Sequence, residues 1–236
     1  MKKLYIYTDF DGTITKKDIG DEIFKLFGKF EPFNSQLRQG ILNIRDYWKI
    51  LCNELDHNIS FDDIYNFAIN EEIDPYFPKF ANFCFNEIIP LSIVSDGFDV
   101  YIEPILKKHN LDWINVFCNK LIKTDYNFQP FYIGASESCN CLSASCKRNY
   151  LISNTPPEYV IAYIGDGYSD FCAAEHSDII FAKGELASYC SVNRIPHYPF
   201  NNFFDVLRIL QDIIKKNKIK TRYQAYLKRE NALKIE

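Results

Sequence analysis

Short apolar runs recur along the chain, each followed by a polar turn and then by apolar residues at helical spacing. The runs are rich in β-branched and aromatic residues, which favours buried strands of a parallel sheet. Regular alternation of strand and helix predicts an α/β fold with a doubly wound, mainly parallel sheet. The predicted strands are residues 4–8, 90–94, 159–164 and 178–181, with a short last strand at 197–200.

The interval between the first two runs breaks this rhythm. Apolar residues such as Ile19, Ile23 and Phe27 recur there at helical spacing, so we expect an inserted set of α-helices. An insertion at this point would hang over the carboxyl ends of the strands, where ligands bind in open α/β sheets. The predicted helices are about 18–27, 32–39, 44–55, 61–70 and 75–87. The last of them is expected to rejoin the main domain, so the insertion should end near residues 74–75.

These patterns predict three parts of the chain. Residues 1–14 and 75–216 form the core, residues 15–74 form a helical cap, and residues 217–236 form a basic C-terminal tail. Residues 119–123 and 128–133 predict a small β-hairpin beside the main sheet. The tail is rich in lysine and arginine with few large apolar residues, so a solvated terminal helix is expected.

Composition narrows the function classes. The 236 residues are 47% hydrophobic and 25% charged, which is typical of a soluble globular protein. The net charge of −4 gives no reason to expect nucleic acid as a partner, and no apolar run approaches the roughly 20 residues that span a membrane. The first strand begins almost at Met1, so no signal peptide is expected, and the eight cysteines are interpreted as reduced thiols in the cytoplasm. Oligomeric state stays open.

The most informative segment is DFDGT at residues 9–13, where the first strand ends. Residues two apart on a strand face the same side, so Asp9 and Asp11 can approach one reacting centre. Two such acids coexist comfortably only with a cation between them or with one of them protonated. One carboxylate can attack phosphorus while the other exchanges protons. An ordinary strand-end turn is the alternative interpretation.

A second polar segment, Ser95-Asp96-Gly97, follows the second strand. Its hydroxyl and the free N–H groups of the next helix would form a cradle for an anion, although a simple helix cap is equally consistent with these residues.

The third strand leads into an acidic loop that contains Asp166 and Asp170. Carboxylates of this kind suit Mg²⁺, which also accepts waters and phosphate oxygens. Lys147, which opens a predicted helix, would supply a compact positive charge for a phosphate oxygen. Because parallel strands end along one edge, we expect all these side chains to meet there.

The four motifs together resemble those of the haloacid dehalogenase superfamily of phosphatases, over almost the whole chain. The matching elements are DFDGT at residues 9–13, Ser95, Lys147 and GDGYSD at residues 165–170. The insertion resembles the lid of the phosphoserine-phosphatase-like subfamily. Residues 95–99 and the cysteines before Lys147 resemble the methionine-salvage phosphatases and the related phosphoethanolamine and phosphocholine phosphatases. Gly12 stands where phosphoserine phosphatases usually carry serine.

The resemblance implies a role for each residue. Asp9 would be the nucleophile, and Asp11 the general acid and base. Mg²⁺ would be held by Asp9, the backbone carbonyl of Asp11 and Asp166, with Asp170 close by or acting through water. The phosphate group would be bound by Ser95, Lys147 and the N–H groups of Asp96 and Gly97.

The expected function is therefore a Mg²⁺-dependent phosphomonoesterase acting on a small phosphorylated metabolite. A phosphotransferase, a phosphoserine phosphatase and a non-catalytic binding protein are the alternatives. Residues of the insertion are candidates to contact the substrate, through polar groups (Asp18, Glu22, Arg38, Arg45) or an apolar wall (Phe24, Phe27, Tyr47, Trp48).

A group of cysteines precedes Lys147 and allows several interpretations. Cys139, Cys141 and Cys146 lie close together in sequence, and Cys118 is a possible fourth ligand for zinc. Redox regulation and ordinary loop thiols are the alternatives, since the spacing is not a standard paired arrangement.

Overall fold

A seven-stranded sheet organises the chain, with the strand order β4-β3-β2-β1-β5-β6-β7. The computed structural model describes residues 3–125, 127–134, 139, 141 and 143–235. Every neighbouring pair is parallel except β3 and β4, so the predicted α/β class is confirmed. The strands are β1 (Lys3–Thr8), β2 (Leu91–Phe98), β3 (Asn115–Lys123), β4 (Phe128–Phe131), β5 (Tyr159–Gly165), β6 (Ile179–Ala182) and β7 (Tyr198–Pro199).

The central strand β1 lies where the strand order reverses. It pairs with β2 on one side and with β5 on the other, and its residues Lys3 to Thr8 lie opposite Tyr159 to Ile164. The backbone N–H of Asp9 continues this ladder by donating to the carbonyl of Ile164 at 2.9 Å. A crevice forms at the carboxyl ends of strands at such a reversal, so Asp9 stands in the position where ligands bind.

Five helices fill the interval between β1 and β2, and the first four are called the inserted helices below. Their starts follow local capping chemistry: Asp18, Asn43 and Ser60 each accept a backbone N–H of the first turn. The inserted helices are α1 (Ile19–Phe27), α2 (Phe33–Arg38), α3 (Ile44–Asn53) and α4 (Phe61–Ala68). The fifth helix, α5 (Phe77–Asn86), packs on β2.

The hairpin is part of the main sheet rather than a unit beside it. Strand β3 begins at Asn115, four residues earlier than predicted, and runs parallel to β2 before it turns back as β4. The early part of β3 lacks a clean polar–apolar alternation, although Cys118 and Leu121 are both buried. Strand pairing, rather than local propensity, therefore determines where this strand begins.

The remaining helices alternate with the strands or close the chain. They are α6 (Asp99–Lys108), α7 (Lys147–Asn154), α8 (Phe171–Glu175), α9 (Gly184–Val192), α10 (Phe203–Lys215) and α11 (Tyr223–Ile235). Among the described residues, we find no helix with both the length and the apolar character needed to cross a bilayer.

The C-terminal tail forms a helix, but that helix is docked on the core rather than surrounded by solvent. The Arg222 guanidinium donates to the carbonyls of Ala174, Glu175 and Ser177 at the end of α8. Arg229 forms an ion pair with Asp178 at 3.1 Å. Backbone carbonyls at the C-terminal end of a helix attract cations. The basic residues of the tail therefore bind the end of α8.

Candidate active site

The predicted site residues converge at the carboxyl edge of the sheet, beneath α1, α2 and α3. A cavity of about 560 Å³ opens there. Of the eight predicted site residues, seven line the cavity and Asp170 lies beneath its floor, fully buried. The seven are Asp9, Asp11, Ser95, Asp96, Gly97, Lys147 and Asp166.

Lys147 forms the centre of this group. Its ammonium lies 2.7 Å from Oδ1 of Asp9 and 2.6 Å from Oδ1 of Asp170, and its side chain is only 1% exposed. Burial acts to lower the pKa of Lys147, but the Asp170 and Asp9 carboxylates outweigh it and raise that pKa above its usual value. Lys147 therefore stays charged and binds two acidic motifs from distant parts of the sequence.

One ammonium does not neutralise the acids around it. Carboxylate oxygens of Asp9, Asp166 and Asp170 all lie within 4.8 Å of one another. Burial, followed by the charge of Asp170, raises the pKa of Asp9 well above its usual range in spite of Lys147. A divalent cation among these oxygens would reverse that shift, and hard oxygen donors suit Mg²⁺. The donor set therefore fits the predicted metal.

Asp170 has its oxygens occupied by protein donors. Oδ1 accepts from Lys147 and from the Tyr163 hydroxyl at 2.5 Å, while Oδ2 accepts the N–H groups of Asp166 at 2.9 Å and Gly167 at 3.0 Å. This arrangement favours a role for Asp170 beside the metal, holding the acidic loop, over direct ligation. Asp166 is the freer carboxylate.

The loop that follows β1 packs closely against Asp166. The hydroxyl of Thr13 donates to Oδ1 of Asp166 at 2.5 Å. Gly12 has a φ of +69°, and a Cβ at this position would lie 2.7 Å from Oδ2 of Asp166. Glycine is required here both for its left-handed backbone conformation and for the close approach.

Asp11 does not belong to the group of carboxylates formed by Asp9, Asp166 and Asp170. Its Oδ1 accepts the N–H of Ile19 at 2.9 Å, and its Oδ2 accepts the Tyr101 hydroxyl at 2.7 Å. Burial and the nearby charge of Asp18 raise the pKa of Asp11 to about 8. Asp11 is therefore largely protonated at neutral pH, as a general acid must be. A metal contact from Asp11 would fall to its backbone carbonyl.

Ser95 and Gly97 lie at the end of β2, next to Asp11. Ser95 is buried, and its Oγ accepts the N–H of Gly97 at 2.9 Å. A Cβ on Gly97 would lie 1.9 Å from the Tyr101 hydroxyl oxygen and 2.6 Å from Oδ2 of Asp11. The absence of a side chain at Gly97 therefore permits the contact between Tyr101 and Asp11.

The carboxylate of Asp96, for which the sequence predicted no partner, binds four protein donors. Its oxygens accept the N–H groups of Ala144 at 3.1 Å and Ser145 at 3.0 Å, the Trp48 indole at 3.2 Å and the Asn119 amide at 3.2 Å. The side chain thus holds the segment before Lys147 against an inserted helix. Only the backbone of Asp96 is left for the predicted contact with phosphate.

Sequence reasoning missed three polar residues that support the site: Tyr101, Tyr163 and Asn119. They lie in segments that look purely structural, and only the need of a buried hydroxyl or amide for a partner could have indicated them.

Four of the eight residues proposed from the insertion reach the cavity: Asp18, Arg38, Tyr47 and Trp48. Of the described residues, Glu22, Arg45, Phe24 and Phe27 do not line it. Glu22 instead pairs with Lys25, while Phe24 packs on Trp48 and Phe98 and Phe27 packs on Phe67. The insertion also contributes lining residues that were not predicted, namely Asp21, Asn34, Leu37, Gly40 and Ile44.

Comparison with known proteins supports the family resemblance that the sequence motifs indicate. The sequence model of the haloacid dehalogenase-like hydrolase family matches residues 6–175. The 2-hydroxy-3-keto-5-methylthiopentenyl-1-phosphate phosphatase of Brevibacillus brevis is 31% identical over 219 residues, which are 90% of this chain and 97% of the relative. Its namesake in Lysinibacillus sphaericus is 30% identical over 228 residues, 91% of this chain and 97% of the relative.

Among solved structures, a phospho-aspartyl intermediate analogue of phosphoserine phosphatase superposes with a TM-score of 0.63. It is 18% identical and is matched over 92% of this chain and 99% of its own, which demonstrates a common fold. The chain belongs to the haloacid dehalogenase-like hydrolase family. Within that family it is a phosphatase, a hydrolase acting on phosphoric monoesters.

Proposed function

We propose that this phosphatase is Mg²⁺-dependent and hydrolyses a small phosphorylated metabolite through an aspartyl-phosphate on Asp9. The observation that supports this most is the arrangement around Lys147. The ammonium holds one oxygen of Asp9 at 2.7 Å, and Asp11 lines the same cavity with its pKa raised to about 8. One acid is thus positioned as a nucleophile and the other as a proton donor.

In the first step, a carboxylate oxygen of Asp9 attacks phosphorus and the bond from phosphorus to the substrate's alcohol oxygen breaks. Asp11 gives its proton to that oxygen, and the alcohol leaves. In the second step, ionised Asp11 takes a proton from water, which attacks the phosphorus and releases inorganic phosphate from Asp9. Ser95 and Lys147 hold phosphate oxygens throughout, with the N–H group of Asp96. The N–H group of Gly97 can join them only by leaving Oγ of Ser95, to which it donates at 2.9 Å.

Asp9 and Asp166 would hold Mg²⁺, together with the backbone carbonyl of Asp11. When bound, the ion supplies positive charge that keeps Asp9 ionised and offsets the charge of the phosphoryl group. Asp170 contributes indirectly, because it orients Lys147 and the backbone of the acidic loop.

We assign residues 15–74 as a cap whose helices enclose the substrate's leaving group. The cavity wall there combines apolar Leu37, Ile44 and Trp48 with the carboxylates of Asp18 and Asp21. The apolar side chains suit the methylthio group of a methionine-salvage phosphate, the substrate class named for the relatives. The carboxylates favour a second candidate, an amine-bearing ester such as phosphoethanolamine.

A panel of phosphorylated metabolites separates these substrates. Phosphate release with Mg²⁺ is measured on phosphoserine, phosphoethanolamine, phosphocholine and the methionine-salvage ester. We expect kcat/KM to be highest for one of these substrates. If that preferred substrate is an amine, Asp21→Asn should lower its kcat/KM at least tenfold, and otherwise the effect should be smaller. Loss of all activity in Asp9→Asn, but not in the exposed control Asp112→Asn, supports the mechanism. Undiminished turnover by Asp9→Asn would contradict it.

Phosphate transfer to an alcohol is the competing reaction, since it would use the same intermediate. Product analysis in the presence of acceptor alcohols distinguishes the two, because a hydrolase releases inorganic phosphate and forms no new phosphate ester. We also propose a cytoplasmic location, since none of the eight cysteines forms a disulfide.

A further inference from the structure

A second cluster of ligating side chains lies outside the catalytic cavity. The thiols of Cys139, Cys141, Cys146 and Cys172 all lie within 4.8 Å of one another. Cys172 is the fourth member, in place of Cys118, which is buried in β3 and is not part of this group. The cluster joins the segment that precedes Lys147 to helix α8.

The spacing of the sulfur atoms fits a bound metal ion. Four thiolates arranged tetrahedrally at about 2.3 Å from zinc are separated from each other by about 3.8 Å. The Sγ atoms of Cys139 and Cys172 are 3.6 Å apart, which is close to that value. A disulfide requires a separation of about 2.0 Å, and all eight cysteines are free.

One of the four thiols also lies at the N-terminus of a helix. Cys146 occupies the N-cap position of α7, where the positive end of a helix stabilises a thiolate.

We propose that Cys139, Cys141, Cys146 and Cys172 form a structural zinc site. Four sulfur ligands complete a tetrahedral shell and leave no open position for substrate or water, which is the arrangement of structural zinc sites. Soft thiolates select zinc, whereas the hard carboxylates of the catalytic site select magnesium, so the two sites take different ions.

The position of the zinc site gives it a function in the fold. Cys146 immediately precedes Lys147, and Cys172 follows Asp170 by two residues. Lys147 and Asp170 are themselves joined by a buried ion pair of 2.6 Å. Zinc therefore anchors the two segments that carry this pair, so that the ammonium is held at the position where it meets Asp9.

Metal analysis of the full-length protein tests the proposal without reference to activity. Protein is produced with zinc in the medium, freed of loosely bound ions, and its zinc and iron contents are measured by plasma mass spectrometry. We expect about one zinc ion per chain. Cys172→Ser should lose most of this zinc, whereas the matched variant Cys118→Ser should retain it.

Two measurements on the unaltered protein keep the test decisive if Cys172→Ser does not fold. Titration with an organomercurial should release the zinc, detected with a chromogenic chelator. When the protein is unfolded in the presence of a chelator and without reductant, all eight thiols should react with a thiol reagent. If one disulfide were present, only six thiols would react. Protein without zinc, iron in place of zinc, zinc retained by Cys172→Ser, or six reactive thiols would each overturn the proposal.

Discussion

The Tyr101 hydroxyl donates a hydrogen bond to Oδ2 of Asp11 at 2.7 Å, from a side chain that is 1% exposed. This bond stabilises the ionised form of Asp11 and opposes the effect of burial, which raises its pKa. Tyr101 therefore adjusts the balance between the acid form needed in the first chemical step and the base form needed in the second.

Removing that hydroxyl should shift the pH dependence of catalysis. Without the bond in Tyr101→Phe, the Asp11 carboxylate is less stable, its pKa rises, and the acid form persists to higher pH. The alkaline limb of kcat/KM, expected near pH 8, should move upward by roughly half a unit to one unit. Tyr65→Phe, on an exposed tyrosine, is the control. A downward shift of the limb, or no shift, would contradict the role given to Tyr101.

Gly97→Ala tests the close approach of the same groups. The added methyl group would displace the Tyr101 hydroxyl and the Asp11 carboxylate, so kcat should fall about a hundredfold, the cost of misplacing a reacting group by about 1 Å. Gly167→Ala is a matched control, because a Cβ there meets nothing within 4 Å. Equal activities of the two variants would show that the space at Gly97 is not needed.

Asp96→Asn tests whether the Asp96 carboxylate is structural. All four of its described partners are donors, two on each oxygen, so an amide group would point its own hydrogens at donors. The free energy of unfolding should fall by about 1–3 kcal/mol. In the control Asp99→Asn, one oxygen still accepts the N–H groups of Val100 and Leu121, and stability should change little. Equal denaturation midpoints for both variants would contradict this.

Lys147→Met leaves the buried carboxylates of Asp9 and Asp170 without their counter-charge. Loss of about 3–5 kcal/mol of stability is expected at neutral pH. The pKa of Asp9, already raised in the folded state, rises further, so the folded protein binds more protons than the unfolded chain and stability falls as pH increases. Denaturation at about pH 5 and about pH 8 should show the larger loss at the higher pH. The exposed control Lys216→Met should lose less than about 1 kcal/mol of stability at either pH. A loss in Lys147→Met that does not depend on pH would contradict the role given to the ionised carboxylates.

The position of the site, more than its detailed contacts, could be predicted from the sequence. Asp9 and Asp166 each follow an apolar strand, and parallel strands end along one edge, so their meeting follows from the alternation of elements. The hydroxyl contacts of Tyr101 and Tyr163 depend on how α6 and β5 are rotated, which no local pattern encodes. Cys172 lies 26 residues after Cys146, and only the packing of α7 against α8 brings them together.

Trapping the phosphorylated enzyme is the most direct test of Asp9 as the nucleophile. The Asp11→Asn variant lacks the base for the second step. When this variant is mixed with Mg²⁺ and an activated aryl phosphate and then quenched in acid, it should accumulate one phosphoryl group per chain. Peptide mass spectrometry should place it on Asp9, and hydroxylamine should remove it, as expected for an acyl phosphate. A phosphoryl group on any other residue, or the same labelling in Asp9→Asn combined with Asp11→Asn, would contradict the mechanism.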